Sequence, residues 1–529
     1  MVNHGRSNGC TTCKQRRVKC DQARPKCQAC QRLGLHCGGY KTKYALKFRD
    51  QTHKFFTNSG VKERGPVSVM RPAEPDTAVP FFLQHYAGIG RSMGSARGFF
   101  EVLIPVYYSQ PQDSALSLAV SAVASKILAL WRHDTRGFRP ETYTQAVKCL
   151  RRTIADRNEW GKPETALAVL ALQLYENVAA IYDLRTATRV HHDGAMSLLP
   201  FVGSHSDHVT GASVYPRRFI LHTEISSAMR QERPLQSMAY SWAGGHDLNL
   251  IDNPSSALDA IGASVAELQA SYMQLATQYA LPTGRVAAEA KRIDEQLLAW
   301  AQSVPDHWYP LRLVSQDIDP SIPTYQSVCE IYPHCQIANI WNLWRIQRLL
   351  LVKISLSSAS TSSREQLEYK HTLQELVDSV CYSVPFYLGN RTRPSSIPDF
   401  TDPAILLPSE HLTRPDIGRK SEGDEHKRHI IAQGPWHLMS PLSRLLTLFS
   451  EEHGGTQIAA FLRPGQYEWI CEQFLRVTTL LHIPQADTGD GMGGYTPLAS
   501  NSSSRGCVNS RVDQLAKRVR RGAVFMSGP

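Results

Sequence analysis

The sequence predicts a small metal-built module of two short helices and loops, followed by a mainly α-helical domain. Three observations carry that prediction. Six cysteines between Cys10 and Cys37 repeat one spacing twice, residues 1–50 hold almost all of the net positive charge, and from Phe81 onward apolar residues recur at helical spacing. At 529 residues the chain is too long for one compact core. Composition divides it into a module at 1–50, a linker at 51–80, a helical domain at 81–486 with an irregular insert near 394–427, and a flexible basic tail at 487–529.

The cysteines run C-x2-C-x6-C twice, so that Cys10 and Cys27, Cys13 and Cys30, and Cys20 and Cys37 are each 17 residues apart. Two half-sites follow, each offering three thiolates about a pseudo-twofold. A tetrahedral structural zinc needs four ligands. Two zincs therefore need eight positions while six thiolates are present, so one thiolate from each half must bridge. The expected centre is a binuclear zinc cluster holding two zinc ions, net anionic and ringed by basic residues. A disulfide framework is the competing reading. The polar, basic start Met1–Asn8 lacks secretory character, and the other six cysteines are scattered singly among apolar stretches; both features suggest a reducing compartment.

Charge indicates what such a module touches. The chain carries a net +11, and residues 1–50 contribute twelve Lys and Arg against Asp21 and Asp50. A short basic module without an apolar face suits a phosphate backbone better than a membrane. The longest apolar stretch, Ala115–Trp131, is interrupted by Ser117, Ser121, Ser125 and Lys126 and is expected to fall short of a span, so no membrane partner is expected. Between Cys13 and Cys20, the run Lys14-Gln15-Arg16-Arg17-Val18-Lys19 has no helix breaker and predicts a short helix pinned at both ends by metal. Lys14, Gln15, Arg16, Arg17 and Lys19 are the candidate DNA-binding residues. Arg and Lys donate to the O6 and N7 edge of guanine, worth about 1–3 kcal/mol of discrimination, and flanking cations hold phosphates. The competing reading is a solvated face around an anionic cluster. Gln28 to His36 is less charged and reads as the packing and backbone-contact half, with Pro25 stiffening the crossover. Lys41, Lys43 and Lys47, interleaved with Tyr40, Tyr44 and Phe48, read equally as further DNA contacts or as an anchored linker.

With these residues in view, Cys10 to Cys37 resembles the fungal binuclear zinc cluster transcription factors. The resemblance rests on the spacing, Cys20-Asp21, the run Arg24-Pro25-Lys26-Cys27 and the basic stretch. It implies that Cys10 and Cys27 bridge and that the first helix points into the major groove at CGG-like triplets. It also implies a basic residue three before the third cysteine touching bases. That residue is usually Lys in the family and is Arg17 here, with Arg16 beside it; an Arg is a fork where a Lys is a point charge. A weaker resemblance extends to the helical regulatory region behind the cluster in one branch of the family. It rests on Leu103-Ile104-Pro105, the stretch His191 to Leu199, Trp469, and Ile483-Pro484-Gln485-Ala486. By resemblance the chain is a nuclear regulator of RNA polymerase II genes, with pathway or secondary-metabolism genes among its possible targets and transcription machinery or co-regulators as partners.

Behind the module, Pro66, Pro72, Pro75 and Pro80 mark the linker, and no apolar heptads follow the cluster; dimerisation is possible but has no coiled coil to rest on. Helices are predicted at Ala115–Trp131, Pro140–Arg157 and Pro163–Tyr182, the last with Leu167, Leu170, Leu174, Val178 and Ile181 on one stripe. Others are predicted at Ser255–Tyr279, Val286–Ala301, Cys335–Ile354, Gln366–Val384 and near Leu438–Phe449. The serine run Ser357–Ser363 predicts a turn with a capping box at Ser362 or Ser363. Pro394, Pro398, Pro403, Pro408 and Pro415 predict a surface loop or disordered insert. Gly- and Ser-rich residues 487–506 detach a tail with Arg511, Lys517, Arg518, Arg520 and Arg521, expected to be disordered, which reads as an import signal or a solubilising end.

Nothing in the chain proposes catalysis. His191, His192 and Asp193 are adjacent, and adjacent helical side chains diverge by roughly 100°, so they read as packing residues. Cys329 and Cys335 read as buried thiols, and Gly489 to Gly494 as linker and not a phosphate loop. The reading is a DNA-binding transcription regulator. A co-regulator acting mainly through the helical domain, with weak non-specific DNA binding, is the alternative.

Overall fold

The structure is a computed structural model. It describes residues 9–23, 25–39, 77–87, 99–133, 140–183, 185–202, 211–237, 239, 253–277, 284–357, 363–408, 420–450, 458–484 and 511–520. Lys41, Lys43, Lys47, most of the linker, residues 409–419, Ser362 and the Gly489–Gly494 run lie outside the described residues. The chain forms two compact units, 1–74 and 75–529.

In the first unit, α1 (Thr11–Gln15) and α2 (Gln28–Arg32) are one-turn helices built alike. Each begins on a cysteine in extended conformation whose sulfur accepts a backbone N–H: Cys10 from Cys13 and Cys27 from Cys30. Each also ends alike. Arg17 (φ 55°) and Gly34 (φ 62°) take the left-handed conformation. Arg17 N–H then donates to Lys14 O (3.3 Å) and Val18 N–H to Cys13 O (3.1 Å), while Gly34 donates to Gln31 O (3.1 Å) and Leu35 to Cys30 O (3.0 Å). That paired closure stops a helix by satisfying its last carbonyls. The basic run is accordingly not one helix between Cys13 and Cys20, as its composition predicts. The helix lies earlier and is closed within the run, because the metal-binding sulfurs at both ends demand a reversal that helical backbone cannot make.

The second unit is a helical body. After α3 (Ala78–Phe82) and α4 (Phe100–Tyr108) come α5 (Ala115–Arg132), α6 (Pro140–Thr153), α7 (Pro163–Tyr182), α8 (Val190–Leu198) and α9 (Gly211–Gln231). There follow α10 (Pro254–Thr277), α11 (Gly284–Ser303), α12 (Cys335–Leu356), α13 (Ser363–Leu388), α14 (Lys420–Phe449) and α15 (Gln466–Leu480). Helices near in sequence pack together: α5 on α6 and α7, α10 on α11, α12 on α13, and α14 on α15. α5 starts on Ser114, whose hydroxyl accepts from Ser117 N–H, and α7 starts with Pro163, whose missing N–H costs nothing in a first turn. α7 is buried along most of its length. Ala115–Arg132 and Pro163–Tyr182 are in fact long and apolar enough to cross a membrane, but 61% and 83% of those windows are buried inside the body. Gly434 of α14 lies where α13 passes: a Cβ there would sit 2.3 Å from Tyr387 O.

Three features depart from the sequence reading. A two-stranded antiparallel hairpin, β1 (Leu311–Val314) and β2 (Val328–Ile331), interrupts the helices, with Arg312 opposite Glu330. Four-residue strands are too short to show alternation in the sequence. Residues 394–408 are not a loose insert: Phe400 packs on Trp131, Phe81 and His85, Ile405 and Leu407 are buried, and α14 already begins at Lys420. Finally, residues 511–520 are a helix, α16, with Val512, Leu515, Ala516 and Val519 buried and Tyr467 donating to Asp513 (2.5 Å). That part of the basic tail docks on the body.

Candidate metal centre and nucleic-acid interface

Among its described residues the first unit has almost no apolar core. The buried side chains described there are Cys10, Cys13, Cys27, Cys30 and Cys37, with Cys20 and Ala29 packed against them. Val18, Leu33 and Leu35 are exposed. A chain segment this short cannot be held by hydrophobic burial and needs a staple. The sulfurs form two groups of four, Cys10, Cys13, Cys20 and Cys27, and Cys10, Cys27, Cys30 and Cys37, with the sulfurs of each group within 4.8 Å of one another. The groups share Cys10 and Cys27, whose sulfurs are 3.7 Å apart. Six thiols thus supply two sets of four.

The donor chemistry fits zinc. Burial pushes the Cys13 thiol up to about 12 and raises the Cys27 thiol, and Cys30 rises as well, where burial and the Cys10 sulfur outweigh its bond with Cys27; Cys37 moves the other way, to about 7, because the N–H groups of Cys27 and Gly39 point at it. Sulfurs crowded like this hold their protons unless a cation supplies the lost solvation, and Zn²⁺ takes thiolates in tetrahedral fours. When bound, zinc supplies the cross-links and the charge that let six thiolates share so small a space.

Several residues outside the cysteines brace the centre. The Thr11 hydroxyl donates to Gly38 O (2.7 Å) and the Thr12 hydroxyl to His36 O (2.9 Å), while Gly38 N–H donates back to Thr12 (2.9 Å). These clamp the Cys37 segment onto the start of α1. Asp21 accepts from Gln28 N–H (3.1 Å) and Ala29 N–H (3.4 Å), which holds its carboxyl below the usual carboxylate range and caps α2 across the crossover. Sequence reasoning noted Cys20-Asp21 without giving Asp21 a task, and it missed the threonines. The 17-residue repeat could have shown the closure, since it sets Arg17 against Gly34.

Lys14, Gln15, Arg16, Arg17 and Lys19 are all exposed. Lys14 and Gln15 sit on the last turn of α1, Arg16 and Arg17 on its closing bend, and Lys19 beyond it. The module therefore presents its cations on a bend.

Residues 8–45 match the family described as the Fungal Zn(2)-Cys(6) binuclear cluster domain. The chain carries a fungal binuclear zinc cluster domain. That zinc cluster domain binds two zinc ions through its six grouped cysteines. Over this region the chain is 62% identical across 37 residues to the aspercryptin biosynthesis cluster-specific transcription regulator atnN of Emericella nidulans, 7% of this chain and 6% of that protein. It is 50% identical across 60 residues to the pestheic acid cluster transcriptional regulator 3 of Pestalotiopsis fici, 11% of each. A longer similarity, 20% identity over 322 residues, covers 59% of this chain and 74% of the transcription factor dbaG of Emericella nidulans. Two of these three similarities thus span about a tenth or less of the relative's length. No solved structure matches the chain.

In the helical body, the adjacent residues His191, His192 and Asp193 do diverge. His192 Nε2 lies 2.7 Å from Glu224, His191 Nε2 lies 3.2 Å from the Tyr143 hydroxyl, and Asp193 accepts from Arg189 (3.2 Å) and Gln236 (3.0 Å). Glu224 is fully buried, and Arg233 grips it with two bonds of 2.7 and 2.9 Å. A second buried pair joins Glu330 to Arg345 (2.6 Å), with Tyr332 donating to the same carboxylate (2.7 Å). Both groups are ion pairs that fasten elements together. Cys329 and Cys335 are fully buried thiols.

Proposed function

We propose that this chain is a nuclear, sequence-specific DNA-binding regulator of RNA polymerase II transcription and not an enzyme. Its zinc cluster reads a CGG-like triplet in the major groove, and its helical body sets activity through transcription machinery or co-regulators. The observation that carries this reading is the exposed run of Lys14, Arg16, Arg17 and Lys19 on a module whose core is a two-metal sulfur centre. Cys10 and Cys27 would be the ligands shared by the two zinc ions, a reading supported by their place in both four-sulfur groups. Arg17, with Arg16 beside it, addresses guanine edges, while Lys14, Gln15 and Lys19 hold phosphates and fix the register. One relative is named as a biosynthesis cluster-specific transcription regulator and another as a pestheic acid cluster transcriptional regulator, and the similarity to dbaG runs well beyond the cysteines, which supports a regulator of one pathway's genes.

Selection of binding sites from random duplexes by the full-length, zinc-loaded protein tests this. An enriched motif containing a CGG-like triplet is expected. Binding without an enriched motif would instead favour a co-regulator that acts through the helical body.

A further inference from the structure

We propose that Thr12 and Asp21 are positioning residues for the two cysteines that close the metal centre, Cys37 and Cys20, and that each slows the loss of one of the two zinc ions. The pseudo-twofold repeats a contact whose residues do not repeat. Adding 17 to Cys20 and Asp21 gives Cys37 and Gly38, and adding 17 to Thr11 and Thr12 gives Gln28 and Ala29. In one half the strand after the third cysteine supplies the side chain: the Asp21 carboxylate accepts the N–H groups of Gln28 (3.1 Å) and Ala29 (3.4 Å) at the start of α2. In the other half the helix supplies it. The Thr12 hydroxyl donates to His36 O (2.9 Å) and accepts from Gly38 N–H (2.9 Å), and the Thr11 hydroxyl donates to Gly38 O (2.7 Å), both from the start of α1. A carboxylate on helix amides and hydroxyls on a strand are two chemistries for one join.

The cysteines that the joins serve are those the helices leave unplaced. Cys10 and Cys27 cap α1 and α2, and Cys13 and Cys30 lie within them, whereas Cys20 and Cys37 lie on irregular backbone. Thr12 bonds to the peptides on both sides of Cys37. The Gly39 N–H points at the Cys37 sulfur, so holding Gly38 also holds a bond to the ligand. The approach is close: a Cβ on Gly38 would lie 2.3 Å from Thr11 Oγ1. Each join bears on a different group of four sulfurs, since Cys20 stands with Cys13 and Cys37 with Cys30.

A purely structural role accounts for part of this arrangement. Asp21 steadies the first turn of α2, although the Cys27 sulfur already accepts the Cys30 N–H there. Capping does not explain Thr12, whose hydroxyl bonds reach His36 and Gly38 and satisfy no group of α1. Bonds that orient a metal ligand typically change metal affinity about 10–100-fold. The inference rests on the two-zinc reading of the centre, which zinc analysis of the native chain tests separately.

The test is zinc release from the full-length, zinc-loaded chain into excess pyridylazo-resorcinol, with zinc content measured beforehand. Thr12→Val, which keeps the shape and removes the hydroxyl, should release one ion per chain about tenfold or more faster and the other at the native rate. Thr12→Ser should restore native release. Asp21→Ala should also speed one ion, and the double variant both. Gln28→Ala should release as the native chain does, because the join uses the Gln28 N–H and not its side chain. Thr11→Val, which leaves both Thr12 bonds in place, should speed the same ion as Thr12→Val by a smaller factor, and it decides the matter where Thr12→Val does not load zinc. Native rates in the Thr11, Thr12 and Asp21 variants overturn the proposal. So does equal speeding of both ions by one substitution, the mark of a generally loosened module, or a double variant that speeds only one ion. A native chain holding fewer than two zinc ions overturns the two-zinc reading itself and the inference with it.

Discussion

Arg17→Gly separates two properties that one residue combines. Arg17 closes α1 in a left-handed conformation, φ 55°, where its counterpart in the second half is Gly34, φ 62°. A Cβ at Gly34 would meet open space, so any difference between the halves is a backbone cost and not a clash. A left-handed non-glycine residue costs about 1–2 kcal/mol, and glycine's extra freedom in the unfolded chain costs roughly 0.5–1 kcal/mol. The substitution should therefore leave the zinc-loaded module between unchanged and about 1.5 kcal/mol more stable. The same change removes a guanidinium from the exposed bend and should cost about 1–3 kcal/mol, or about 5- to 150-fold, on a matched duplex. Gly34→Arg is the converse: it should lose about 1 kcal/mol of stability and little discrimination between duplexes. The assays are chelator competition for zinc retention, and fluorescence anisotropy on matched and scrambled duplexes. A loss of zinc retention in Arg17→Gly would refute the backbone argument. Equal loss on both duplexes would reassign Arg17 from base reading to phosphate contact.

Two further outcomes are expected. Zinc analysis should give two ions per chain, and chelation or Cys10→Ala should abolish specific binding by unfolding a module whose buried side chains, among the described residues, are nearly all cysteine; specific binding by zinc-free protein would contradict this. In the body, burial opposes ionisation of Glu224, but Arg233, His192 and the Gln236 N–H outweigh it and hold the carboxyl at about 2, below its ordinary 4.5. A depressed carboxyl stabilises above its unfolded value, so this contribution, about 3 kcal/mol, is present at neutral pH and is lost as pH falls from about 4.5 toward 2. Glu224→Gln should accordingly be less stable at pH 7 by up to that amount, with the gap to the native chain closing over this acid range in thermal unfolding. A gap that stays constant with pH would show that Glu224 does not titrate as its partners imply.

The legible parts of the chain were those whose rules are local. Cysteine spacing gave a binuclear centre in which one thiolate from each half is shared, because six ligands must fill eight positions, while the choice of Cys10 and Cys27 as the shared pair came from the resemblance. Periodicity gave α7 at its observed limits, Pro163–Tyr182, and α12 to within two residues at its end. Where composition outweighed pattern, the reading failed. Val512, Leu515, Ala516 and Val519 recur at i, i+3, i+4 and i+7, a helix stripe hidden among the cations of the tail. Proline likewise marked residues 394–408 as irregular, which says nothing of whether Phe400 is buried. In the zinc module, helix propensity suggested a helix through Lys14 to Lys19, but the left-handed turn at Arg17 decides where it ends.

By itself, then, the sequence determined a two-zinc module, its basic surface and a helical body, because thiolate count, charge and amphipathic period are properties of neighbouring residues. Only the tertiary structure decided which charges are buried and which groups converge. Glu224 looks like any helical glutamate until Arg233 and His192 close on it. Arg230, Arg444 and Arg520 look like solvated cations until three helices from distant parts of the chain bring them to one cavity. Burial and convergence depend on contacts between residues far apart in the chain, which no local pattern records.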